Sequence, residues 1–83
     1  MILKLTTYDR MNHYWNSYGD QEIKFEMIQY LIKDAGYAYS YGAESKRLYQ
    51  IILKDGNKLY TDLGGYRKIL KLSREHGVDI DVR

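Results

Sequence analysis

The chain has 83 residues, thirteen Lys or Arg against eleven Asp or Glu, no cysteine, no proline, and ten tyrosines beside one phenylalanine and one tryptophan. That length has room for a single domain over residues 1–83 and hides only roughly 60 to 65% of the unfolded surface, and with no cysteine neither a disulfide nor a thiolate metal site stiffens the thin core. A net charge of +2 is too balanced to announce nucleic-acid binding, runs such as Ile51-Ile52-Leu53 are too short to cross a bilayer, and MILKLTTYDR lacks the apolar centre of a secretory signal, so a cytoplasmic protein without a membrane partner is expected.

In MILKLTTY the residues Leu3, Leu5 and Thr7 share one period-2 face, which predicts a half-buried first strand. Asp9 is placed to cap a short helix or ordered loop through Ser17, ending at Gly19. Asp20 is placed to cap a longer helix, QEIKFEMIQYLIKDA, stopped by Gly36. At 100° per turn step its Glu22, Glu26, Gln29 and Lys33 form a narrow polar stripe, while Ile23, Phe25, Met27, Ile28, Leu31, Ile32 and Ala35 cover most of the rest. A helix so apolar needs two covers, and Trp15 with a neighbouring tyrosine is the nearest material for the second.

From Tyr37 the period becomes two, with Tyr37, Tyr39 and Tyr41 on one face. RLYQIILK and KLYT then flank Asp55-Gly56, a type I′ hairpin signal that sets Ile52 opposite Leu59 and Ile51 opposite Tyr60. A second helix is expected from Leu63 to His76, capped by Asp62 or Thr61 and stopped by Gly77, with Leu63, Tyr66, Ile69, Leu70 and Ser73 on its buried side. VDIDVR closes the chain as a strand with Val78, Ile80 and Val82 inward. The order β, short helix or loop, α, β, β, β, α, β predicts an α+β two-layer sandwich, helices on one face of a mostly antiparallel sheet.

Gly64-Gly65 at a helix start, followed by Arg67, Lys68, Lys71 and Arg74, offers open backbone N–H groups and cations to a phosphate or acidic surface, although the same glycines suit a helix that passes close to a strand. Tyrosine carries a large apolar ring and a polar tip, so Arg10, His13, Tyr14, Tyr18, Tyr39, Tyr41 and Arg47 form a candidate partner-binding set. Tyrosines beside basic residues also suit base stacking on single-stranded nucleic acid. His76 with Asp79 and Asp81 has metal-ligand types, but a histidine at a helix end is favoured by the dipole alone, so no metal or other cofactor is expected. His13 and Ser17 lack an orienting third group, and Glu22 with Glu26 reads as helix-start charge, so no catalytic set is assigned.

The αβββα order expected from Asp20 to His76 is similar to that of double-stranded-RNA-binding domains, whose second helix presents cations to phosphates, although only Arg67-Lys68 stands where those domains cluster lysines. The strand, helix pair and meander also resemble small bacterial toxin ribonucleases, which are more basic than this chain. Neither likeness is taken as membership. The expected function is a small non-catalytic binding protein with a protein partner. Abundant Tyr, Ile and Lys suit an AT-rich phage or mobile element, which suggests an inhibitor of a host nucleic-acid-processing complex, of anti-CRISPR or anti-restriction type, acting in the host cytoplasm. A direct DNA- or RNA-binding domain and a toxin-type ribonuclease are the alternatives, and an exposed edge strand leaves a homodimer open.

Overall fold

The computed structural model describes residues 1–11, 14–38 and 46–83, with side chains over 1–8, 20–37 and 46–83. The elements are β1 (Ile2–Met11), β2 (Tyr14–Lys24), a 3₁₀ turn (Phe25–Met27), β3 (Ile28–Ile32), β4 (Tyr37–Ala38), β5 (Lys46–Arg47), β6 (Tyr49–Leu53), β7 (Lys58–Thr61), α1 (Leu63–His76) and β8 (Asp81–Val82). Six strands form one sheet in the order β2-β1-β7-β6-β3-β8, and β4 pairs with β5 in a second, two-stranded sheet. All pairings are antiparallel except β3 with β8, because α1 carries the chain from β7 across the sheet to a strand of the same direction. The molecule is thus an α+β two-layer structure, with one helix against a mostly antiparallel sheet among the described residues.

The sheet curls. Three residues join β2 to β3, yet these strands stand four places apart, about 19 Å in a flat sheet at ~4.8 Å per strand. Its concave face holds the core: Leu3 and Leu5 from β1, Ile23 from β2, Phe25, Ile28 and Leu31 along the turn and β3, Ile51 and Leu53 from β6, closed over by Ile69 of α1. Each such side chain, fully buried, contributes about 1.5–3 kcal/mol of transfer free energy. The alternation expected in β1 holds, with Leu3, Leu5 and Thr7 buried and Lys4 exposed.

The helix predicted over 21–35 is instead the end of β2, the 3₁₀ turn and β3. Its misleading three-residue spacing has two causes. The 3₁₀ turn brings Phe25 and Ile28 to the same side, and a register shift between Ile28 and Tyr30 lets Leu31 rejoin them, so that residues 25, 28 and 31 are all buried. Strand propensity from Ile23, Phe25, Ile28, Tyr30 and Ile32 agrees with this outcome. With that helix gone, the αβββα order is gone too. The helix or loop predicted after Asp9 is the β1–β2 hairpin, in which Asp9 pairs with Asn16, Arg10 with Trp15 and Met11 with Tyr14. The side chain of Trp15 lies outside the described residues, and the helix that it was expected to cover does not form.

The Asp55-Gly56 hairpin forms, one residue out of the expected register: Ile51 pairs with Leu59 and Ile52 with Lys58. Gly56 donates to the Leu53 carbonyl at 3.0 Å and has φ +91°, so the loop is a three-residue connection with its positive φ at Gly56, where the predicted type I′ turn needs two. Helix α1 keeps its predicted bounds, with Asp62 accepting from Gly65 N–H and Gly77 in the left-handed conformation at φ +65°. The final strand is shorter than expected: β8 is a two-residue edge, Ile80 is half-buried, and Val78 and Val82 are exposed. No helix among the described residues is long and apolar enough to cross a membrane.

Candidate functional site

Gly65 and Gly64 are neighbours with opposite roles. Gly65 is buried on β7, where an added Cβ would lie 2.0 Å from Thr61 Oγ1, so the missing side chain lets the helix approach the strand. It has no free surface to offer a ligand. Gly64 is exposed and lines an open cleft of about 550 Å³ with Lys46 and Arg47 of β5, Tyr49 of β6, and Asp62 and Leu63 at the helix start. The structure therefore joins one member of the expected phosphate set, Gly64, to one member of the expected partner set, Arg47.

One wall of the cleft is closely packed. The Tyr49 ring is 5% exposed and stacks on Tyr66 of α1, with centroids 4.2 Å apart and planes 11° from parallel. Such a pair adds about 0.5–1.5 kcal/mol beyond its burial. Asp62 is fully engaged: Oδ1 accepts Gly65 N–H at 3.1 Å, and Oδ2 accepts the Tyr8 hydroxyl at 2.9 Å. Burial first, then the hydrogen bond to Asp62, pushes the Tyr8 phenol up to about 12. The Asp62 carboxylate is therefore occupied by the helix and by β1 and does not pair with Arg47.

Arg47 is exposed, and hydrogen bonding to Tyr37 first and Tyr49 second, with a smaller contribution from the charge of Asp34, raises its guanidinium above the ordinary range. Neither Lys46 nor Arg47 forms an ion pair among the described residues. Tyr37 is 43% exposed and Leu63 41%. From the cleft, the outer side of α1 continues as Arg67, Lys71 and Arg74, all exposed. Lys68, also exposed, turns toward β1 and donates to the Lys4 carbonyl at 2.9 Å.

Arg10, Tyr14 and Tyr18 stand on the β1–β2 hairpin with side chains outside the described residues, and His13, Tyr39 and Tyr41 lie wholly outside them. Lys46 and Leu63 are site residues that sequence reasoning missed. Leu63 was expected on the buried stripe, but at 100° per residue it stands about 120° from Ile69, and its exposure corrects that placement. No group of three or more His, Cys, Asp or Glu able to hold a metal is present among the described residues.

Comparison with protein-family models, curated proteins and solved structures gave no match.

Proposed function

We propose that this is a non-catalytic binding protein that attaches to a protein partner through the cleft between β5 and the start of α1. The observation that carries this reading is the meeting of an exposed leucine, Leu63, with two cations that have no ion pair among the described residues, Lys46 and Arg47, against the packed ring of Tyr49. A packed aromatic wall, an arginine and an accessible aliphatic side chain are the components of an energetic centre in a protein interface. Nucleic acid is a poorer fit to the same cleft. A phosphate chain leaves the exposed Leu63 uncovered, and Tyr49, 5% exposed and stacked on Tyr66, is no platform for a base.

Within this reading, we favour inhibition of a nucleic-acid-processing complex, as phage-encoded anti-CRISPR and anti-restriction proteins achieve it. The positive outer side of α1 suits such a protein to covering a partner's acidic surface, and does not suit it to imitating DNA. The test is affinity capture from nuclease-treated extract of the native host at near-physiological salt, followed by reconstitution with the captured protein. A stoichiometric protein partner, lost with Leu63→Ser and Arg47→Glu, supports the proposal. Co-purification of nucleic acid in place of protein, with affinity falling steeply as salt rises, establishes the direct nucleic-acid-binding alternative.

A further inference from the structure

Resting on the protein-binding reading, we propose that the cleft takes a peptide segment in which a carboxylate stands beside an aliphatic side chain. The carboxylate goes to the Arg47 guanidinium, with Lys46 next to it, and the aliphatic group lies on Leu63.

Three observations specify this occupant. The charge that needs an answer is Arg47, exposed and without an ion pair among the described residues, while the nearest lining carboxylate, Asp62, has both oxygens engaged by Gly65 and Tyr8. The cleft that Arg47 lines is backed by Tyr49, whose ring is packed on Tyr66, so a planar carboxylate meets the guanidinium beside a wall that is already formed. The apolar demand comes from Leu63, 41% exposed at the first helical position, and a cleft of about 550 Å³ admits a short peptide segment more readily than a single side chain. A phosphodiester chain satisfies Arg47 and leaves Leu63 uncovered. A purely apolar peptide does the reverse and leaves a guanidinium desolvated without a partner. Only the mixed segment satisfies both, and further acidic residues on it would run toward Arg67 and Lys71 on the helix.

The experiment is amide-resolved NMR titration of the full chain with three probes: the capped peptide Asp-Leu-Glu-Leu-Asp, its neutral isostere Asn-Leu-Gln-Leu-Asn, and a short oligothymidylate. Saturable shifts are expected at Arg47, Leu63 and Gly64 with the acidic peptide. They should be weaker by roughly tenfold with the isostere or with Arg47→Ala, and partly restored in Arg47→Lys. Leu63→Ser should weaken the acidic peptide several-fold, and preserved amide dispersion in each variant shows that the fold is intact. Equal binding of the two peptides, or no saturable shift with either, overturns the acidic-peptide inference while leaving capture of a folded protein partner to decide the wider proposal. Saturation of these amides by the oligothymidylate alone overturns both.

Discussion

Helix α1 has two sides that obey different rules. On the inner side Gly65 and Ile69 are buried, Tyr66 stacks on Tyr49, and the cap at Asp62 is tied to β1 through Tyr8. On the outer side Gly64, Arg67, Lys71 and Arg74 are exposed, and their one ion pair among the described residues, Lys71 with Glu75 at 4.0 Å, joins two solvent-facing side chains. Such a pair contributes little. The same fourteen residues thus hold the fold with one face and leave charge uncommitted on the other, so stability and binding are separable by substitution.

Ile69→Ala should mark the inner side most strongly. Ile69 is 0% exposed, and its truncation should cost about 3–4 kcal/mol in urea denaturation. Gly65→Ala comes next at about 2–3 kcal/mol, since its Cβ must displace Thr61, whose hydroxyl donates to the Thr6 carbonyl at 2.9 Å. Gly64→Ala is the control one residue away: its Cβ meets only Asp62 Oδ1 at 3.3 Å, and stability should change by less than about 1 kcal/mol. Equal losses from the two glycine variants would break the distinction between the sides.

Tyr8→Phe should cost about 1 kcal/mol at neutral pH through loss of the bond to Asp62. Because the folded state holds the phenolic proton more tightly, with Tyr8 pushed up to about 12 from an ordinary value of 10.0, this contribution is complete below the unfolded value and fades as pH rises through the folded one. The difference between wild type and Tyr8→Phe should therefore shrink on the alkaline side of that interval, as followed by denaturation at stepped pH. The smallest stability change belongs to the outer side: Arg67→Glu with Lys71→Glu should shift unfolding by no more than about 0.5 kcal/mol. The same pair should reduce binding of the acidic peptide at low salt more than at high salt.

The parts of this fold legible in sequence are those where one local signal meets no competitor. Asp62 and Gly77 delimit α1 because cap and stop act within a turn, and the alternation of Leu3, Leu5 and Thr7 shows β1 because only one face of that strand is buried. Residues 20–35 are different. There the 3₁₀ turn and the register shift impose a spacing of three on residues that belong to two strands, and local periodicity has no means of telling that from a helix. The site is half legible for a related reason. Arg47 and Gly64 stand out by residue type, but their meeting depends on where β5 lies against α1, and Leu63 becomes a surface residue only once Gly65 and Ile69 set the helix rotation. The doublet of glycines was legible as a close approach to a strand, though which of the two makes it depends on Thr61.

The β1–β2 hairpin joins the rest of the sheet along a narrow seam: Thr7 opposite Thr61 and Tyr8 opposite Tyr60, with side-chain ties from Thr61 to Thr6, Tyr8 to Asp62 and Lys68 to Lys4. Residues more than fifty positions apart must meet to close it. The hairpins on either side close short loops, whereas the seam closes a much longer one and bears the larger loop-closure entropy. The cap of α1, which forms one wall of the cleft, is tied into this seam through Tyr8. Any partner gripping that wall would therefore also hold β1 against α1.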